Sequence, residues 1–299
     1  MICNSYHEFL TSIFFCHFSK QVTVLNPHKK FSTSPAEMVR SIFKNHQLIY
    51  QMTKRDVIGR YRGSIFGLAW SFFNPLIMLA VYTFVFSVVF SARWNTASNS
   101  QTEFALALFI GMITHGLLAE CVMRAPGIIL GHVSYVKKVV FPLEILPWVV
   151  MGGTLFHSLV SLGVWALFYV IVNQSLHWTV MIIPLVLLPL VFFTMGLAWI
   201  LAALGVYLRD IGQMTGVFTT ILMFLSPVFY SADRLPENFK NAMYLNPLTF
   251  IIEQSRDVLM WGKLPNWNGL GLSLLISLIV AWLGFIVFQR TRQGFADVL

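Results

Sequence analysis

The chain has 299 residues, 57% of them hydrophobic and only 11% charged. Soluble domains carry about 25% charged residues, so a water-soluble globular protein is excluded. The net charge of +8 would suggest a nucleic-acid partner in a soluble protein, but here it points to cations gathered on one side of a membrane.

An apolar run, Phe9 to Phe18, stands near the N-terminus. No basic region precedes it, no small-residue cleavage pattern follows it, and it is too short to cross a bilayer. Residues 1–35 are therefore expected to be an extension, with Met38 as the start of the protein proper. From Val39 to Met52, the apolar Val39, Ile42, Phe43, Ile49 and Tyr50 fall near helical spacing, with Arg40, Lys44 and Gln47 between them. That pattern predicts an amphipathic helix lying at the membrane surface. Next comes "KRDVIGRYRGS", Lys54 to Ser64, with four cations, and then 28 residues, Ile65 to Ala92, without one charge.

Six apolar segments follow, each near the ~20 residues that cross a bilayer as a helix. They are Ile65–Phe90, Phe104–Met123, Ile145–Val172, Val180–Tyr207, Ile211–Tyr230 and Leu270–Phe288. The expected organisation is an extension at 1–35, an interface segment at 36–63 and an all-α membrane domain of six spans at 64–299. The second span is the weakest, because it contains His115 and Glu120. Asn74-Pro75, Pro184, Pro189 and Pro227 predict kinks, since each proline leaves a carbonyl without its helical donor. Gly152, Gly153, Ser158, Ser161 and Gly163 in the third span suit close helix packing.

Between spans two and three, Arg124 to Pro147 alternates apolar residues with Arg124, His132, Lys137 and Lys138 before breaking at Phe141-Pro142. A short surface helix or turn fits. Composition favours a snorkelling basic loop over a docking surface for a cytoplasmic partner. The loop Ser231–Asn268 is too long for a connector. It holds a helical pattern with Leu248, Ile251, Ile252, Ser255, Val258 and Leu259 on one face, and Thr249, Glu253, Gln254, Arg256 and Asp257 elsewhere. A shorter element is expected at Pro236–Met243.

Counting Lys and Arg gives 15 in the N-terminal region and after spans two, four and six, against 5 on the opposite side. Omitting everything before Met38 leaves 12 against 5, which places both termini in the cytoplasm. The sequence has no G-x-x-x-x-G-K-[ST], no H-E-x-x-H and no G-x-S-x-G, so no nucleotide loop or hydrolytic signature is present. Its three cysteines show no metal-type or disulfide spacing. His115 and His157 are the ionisable groups expected deepest, each as a neutral hydrogen-bonding residue, while Glu120 and Glu144 are expected near hydrated cytoplasmic ends. Aromatics make up 15% of the chain. They suit lipid contact and interfacial belts, with Trp94, Trp178 and Trp267 on the external side, or a sugar passage lined by flat rings.

"LIYQMTKRDVIGRYRGSIFGLAWSFFNPLIMLAVYTFVFSVVFSARW", Leu48 to Trp94, resembles the start of ABC-2 type permeases that export cell-surface polysaccharides. "VKKVVFPLEILP", "YLRDIGQ", "SPVFYS" and "LNPLTFIIEQSRDVL" continue the resemblance in the same order, so it covers about residues 38–299. The resemblance implies a homodimer in the bacterial inner membrane that works with two copies of a separate ATPase, which would bind the ATP and Mg. No cofactor, metal or catalytic residue is expected in this chain. The implied substrate is a polysaccharide on a polyprenyl diphosphate, O-antigen-like in the first reading, with capsule or teichoic acid as alternatives.

On that basis Phe73, Tyr82, Phe86, Phe90, Phe218 and Phe224 are candidates for a channel bordered by the first and fifth spans. Arg55, Arg124, Lys137, Lys138, Arg209 and Asp210 are candidates for coupling to the ATPase. Arg60 and Arg62 either hold the substrate's diphosphate or anchor the chain to anionic headgroups. Two other classes compete: an ion-coupled flippase, which would transport without an ATPase, and a membrane glycan-modifying enzyme.

Overall fold

The structure, a computed structural model, describes residues 32–90, 101–138, 141–231, 243 and 246–299. Most of the expected extension, Trp94 and nearly all of Pro236–Met243 lie outside the described residues. Those described are helical and contain no strand.

The expected interface helix forms as two. Helix α1, Pro35–Lys44, starts where the Ser34 hydroxyl accepts from the Glu37 amide, with proline in the first turn. Asn45 interrupts it, and α2, His46–Arg60, follows. Met38, Ser41, Met52 and Val57 face the protein, whereas Val39, Phe43, Tyr50 and Ile58 are exposed. The amphipathic pattern is thus present, with part of its apolar side turned outward.

Among the described residues, five helical segments are long and apolar enough to cross a membrane: Gly67–Phe86, Thr102–Gly127, Leu143–Asn173, Trp178–Tyr207 and Trp267–Val298. Their principal helices are α3 (Trp70–Tyr82), α4 (Gln101–Arg124), α6 (Leu146–Asn173), α7 (Ile183–Tyr207) and α10 (Trp267–Thr291). Between them lie α5 (Val133–Lys138), α8 (Ile211–Leu225) and α9 (Pro247–Leu259), and α11 (Phe295–Val298) ends the chain. The expected fifth span, Ile211–Tyr230, is a helix only as far as Leu225. Pro227 disfavours helical geometry at Ser226, and the chain turns there.

The second span, weakest in the sequence, is the most enclosed: 78% of its most apolar stretch is buried, against 6% for the first span. Helix α4 is ringed by α3, α6, α7, α8 and α9. A helix surrounded by protein needs no uniformly apolar surface, so it can carry Thr114, His115 and Glu120. The contacts also fix direction. Trp165 of α6 donates to the Leu106 carbonyl while His157 meets Glu120, so α4 and α6 are antiparallel. His115 bonds the Thr219 carbonyl at 3.0 Å, and Val228 lies beside Gly111, which makes α8 antiparallel to α4.

Helices α7 and α10 run parallel, with Trp199 edge-on to Phe285 and the Tyr207 hydroxyl donating to the Thr291 carbonyl. Their seam has no room for side chains at its centre. A Cβ on Gly196 would strike the Val280 carbonyl, and one on Gly284 would strike the backbone of Gly196. Of the small residues expected to pack closely, Gly152 and Gly153 do so, against Thr53 and Asp56 of α2; Gly163 faces open space. Prolines behave by position. Pro75 and Pro189 lie inside helices, but Pro184 is in the first turn of α7, where its missing N–H costs nothing.

At one end of the bundle Arg292 bonds Glu144 at 2.6 Å and the Phe141 carbonyl at 2.7 Å, while Ser41 donates to the same carboxylate. This clamp gathers α1, the start of α6 and the end of α10. Gly284→Val is expected to lower the unfolding free energy by about 3 kcal/mol through overpacking. Gly271→Val, in the same helix but facing open space, should leave the thermal midpoint of the detergent-extracted protein unchanged.

Candidate functional site

Five ionisable side chains from three helices meet beneath the first span. Asp56 and Arg60 sit one turn apart on α2, Glu120 and Arg124 one turn apart on α4, and His157 is on α6. Arg60 pairs with Glu120 at 2.5 Å and Arg124 with Asp56 at 2.7 Å, so the two helices exchange opposite charges. The His157 Nδ1 lies 3.1 Å from the Glu120 carboxylate, and its Nε2 lies 3.2 Å from the Tyr61 hydroxyl. The same Nδ1 lies 3.1 Å from the Arg60 guanidinium, so it faces a carboxylate that accepts and a cation that donates. Burial raises the Tyr61 pKa, with the Arg60 charge opposing and Glu120 adding to the rise, so Tyr61 remains a donor. His157, expected as a neutral hydrogen-bonding residue, makes its bonds inside a network of ion pairs. The sequence signal was the i, i+4 spacing of opposite charges on two separate segments.

A cavity of about 400 Å³ opens beside this cluster, between α3, α4 and α6. Arg60, Tyr61, Glu120 and His157 line one part, and Ser71, Asn74, Met78 and Tyr82 of α3 line another. Arg60 is thus occupied by carboxylates. Arg62, expected to act with it, is exposed and has no ion pair among the described residues.

The coupling candidates lie around the same end of the bundle. Arg55 reaches the Tyr135 hydroxyl at 3.2 Å, and the Tyr135 ring stacks on Phe141 and His132. This ties α2 to the segment before α6, which folds as two 3-10 turns and α5, so the expected short helix or turn is present. Arg55, Lys137, Arg209 and Asp210 are exposed, whereas Arg124 is half-buried in its pair with Asp56. Lys138 closes α5, and its side chain lies outside the described residues. Gly205 of α7 packs against the Pro126 backbone, which brings the Arg209-Asp210 turn to this face.

The channel candidates divide. Phe90 packs on Phe86, Phe86 on Phe104 and Phe229, and Phe229 on Phe224, all at 5.7–6.0 Å, so a string of rings joins the far ends of the first span and α8. Phe73 and Phe218 are exposed on the outer faces of α3 and α8. Tyr82 turns instead into the cavity.

Helix α9 buries the predicted face, Leu248 to Leu259, but also Thr249 and Arg256, which the pattern had placed elsewhere. Arg256 is 1% exposed. Its guanidinium donates to the carbonyls of Ala107 at 2.9 Å, Pro227 at 2.6 Å and Val228 at 2.9 Å. The Pro227 and Val228 carbonyls need donors because the chain leaves helical geometry at Ser226-Pro227, and the bond to Ala107 ties them to α4. Asn246 adds a bond to the Ser226 hydroxyl at 2.8 Å.

The ABC-2 type transporter family description matches residues 47–260. The chain belongs to this family. Among the chains to which this ABC-2 transporter is similar is the O-antigen export system permease protein RfbA of Klebsiella pneumoniae, 26% identical over 254 residues, which cover 84% of this chain and 95% of that one. It is also 26% identical to RfbA of Myxococcus xanthus, over 87% of this chain and 98% of the relative. The polysialic acid transport protein KpsM of Escherichia coli is 20% identical over 86% of this chain and 98% of its own length. The transporter is a multi-pass membrane protein.

Two outcomes test the geometry. Glu120→Gln leaves the Arg60 guanidinium with only the Asp56 carboxylate, 3.9 Å away, as counter-charge and should cost about 1–2 kcal/mol, reduced by partial solvation; adding Arg60→Met should recover most of that loss in a double-mutant cycle. Arg256→Lys keeps the charge but cannot serve three carbonyls at once, so a loss of about 2–3 kcal/mol is expected, with earlier proteolysis near α9.

Proposed function

We propose that this chain is the permease subunit of an ATP-driven exporter of a cell-surface polysaccharide, O-antigen-like in type. The observation that carries this reading is near end-to-end similarity to O-antigen export permeases, 95–98% of their length, in a chain without a nucleotide loop. ATP and Mg would then be bound by a separate ATPase, in two copies against a homodimer of this chain.

Six crossings of the inner membrane, with both termini cytoplasmic, fit the helix directions. The parallel run of α7 and α10 requires one return crossing between Tyr207 and Trp267, and α8 runs opposite to both. Its 15 residues extend only ~22 Å, short of ~30 Å of hydrocarbon. The turn at Ser226-Pro227, held by Arg256 and Asn246, supplies the remainder. In this reading α1 and α2 lie at the cytoplasmic interface.

The glycan's path would run between two copies, along the outer faces of the first span and α8, with Phe73, Phe90, Phe218 and Phe224 offering flat rings to sugar faces. Tyr82 and Phe86 would sit behind that wall. ATPase closure would press on Arg55, Lys137, Lys138, Arg209 and Asp210. The Arg124–Asp56 and Arg60–Glu120 pairs would pass the push from α2 into α4. Arg62 is the exposed cation for a lipid-linked diphosphate or a headgroup, and Arg60 would first have to leave Glu120. Capsular polysaccharide and teichoic acid remain the alternative cargoes.

Vesicles holding the chain with its ATPase should export a lipid-linked glycan only with ATP, and transport by the chain alone would refute this reading. Lys137→Glu with Arg209→Glu should lower permease-dependent ATP hydrolysis about tenfold, the equivalent of ~1.4 kcal/mol of coupling, with membrane insertion unchanged.

A further inference from the structure

The cavity between α3, α4 and α6 has a composition that neither packing nor charge pairing explains. Helix α3 presents Ser71, Asn74, Pro75, Met78 and Tyr82 to it, a stripe at helical spacing on the side opposite Phe72, Phe73 and Ile77. Three polar groups there have no hydrogen-bond partner among the described residues: the Asn74 amide, the Tyr82 hydroxyl and the Ser158 hydroxyl of α6. Ser158 is only 7% exposed. Pro75 lacks the N–H that the Ser71 carbonyl would otherwise receive, leaving a further acceptor in the lining. Unpaired donors and acceptors this close to hydrocarbon are costly until something polar meets them.

The electrostatics select the kind of ligand. Asp56, Arg60, Glu120 and Arg124 sum to zero, and both guanidinium groups are already bound to carboxylates. No free cation faces the space among its described lining residues, so an anion gains little there. The space holds about 400 Å³, within the ~300–1,000 Å³ of small-ligand pockets. Its walls join hydroxyl, amide and carboxylate groups to the rings of Tyr61, Tyr82 and Phe109. A neutral, polyhydroxylated ring satisfies both halves, with hydroxyls on the polar groups and its C–H face on an aromatic ring.

We propose that this cavity is a carbohydrate site that holds an uncharged sugar unit within one protomer, apart from the passage between protomers. The proposal rests on the export reading for its source of sugar. Binding uses Asn74, Tyr82 and Ser158 directly, while the Arg60–Glu120 pair keeps the site closed to anions.

The full chain in nanodiscs is probed by saturation-transfer NMR with methyl glycosides of glucose, galactose, mannose, rhamnose and N-acetylglucosamine, and separately with inorganic pyrophosphate. At least one glycoside should bind. Asn74→Ala and Tyr82→Phe should each weaken it about tenfold, one hydrogen bond's worth at ~1.4 kcal/mol, without moving the thermal midpoint. Ser158→Val, which fills and dries the site, should abolish binding. The proposal fails if no glycoside binds, if Asn74→Ala and Tyr82→Phe bind as the wild type does, or if pyrophosphate displaces the sugar. Export is measured in parallel with the ATPase present. Export without sugar binding at this site overturns the site alone. Sugar binding without export supports the site and overturns the export reading.

Discussion

The Arg60–Glu120 pair, with Arg124–Asp56 beside it, joins two elements that would otherwise have little reason to stay together. Helix α2 is polar over most of its surface, while α4 is the centre of an apolar bundle. A charge brought to the edge of hydrocarbon must find its opposite inside the protein, because solvation by lipid is so poor. Each helix supplies one cation and one anion a turn apart, so the interface is neutral and its register is fixed. Gly152 and Gly153 let α2 approach α6 closely enough for His157 to complete the network.

The central position of α4 governs what is left for the other spans. Once α6, α7, α8 and α9 have closed around it, the first span has only its Ser71–Tyr82 stripe against the bundle, and the opposite face stays open. The string of rings from Phe90 to Phe224 then becomes the main link between the two least enclosed apolar helices. These two helices leave much apolar surface uncovered.

The sequence made the long helices legible because ~20 apolar residues without charge have few other uses. It also revealed the apolar face of α9 and the surface helix before α6, since their periodicity is local. What it concealed was long-range. His115 and Glu120 argued against a second span because a lone span would expose them, whereas α4 has protein on every side. Arg256 looked like the polar flank of a surface helix; only the two carbonyls freed near Pro227 and that of Ala107 in α4 make its burial favourable. Gly196 and Gly284 are 88 residues apart in the chain, and nothing local distinguishes them from Gly212 or Gly271, which face open space. The cavity stripe on α3 was hidden differently: one serine, one asparagine and one tyrosine in an apolar run read as tolerated polarity until the space they face is seen.

The parallel seam of α7 and α10 bears on the order in which the molecule is completed. Helix α7 leaves the ribosome with its glycine groove open, and the helix that fills it is made only after α8 and α9. Until Trp267–Thr291 has entered the membrane, the Gly196 backbone must be covered by lipid or by the insertion machinery. The end of α10 then brings Arg292 to Glu144 and Ser41, so the closing of the seam also locks the earliest helix of the bundle. A nascent chain of this protein therefore stays open along one side until α10 arrives.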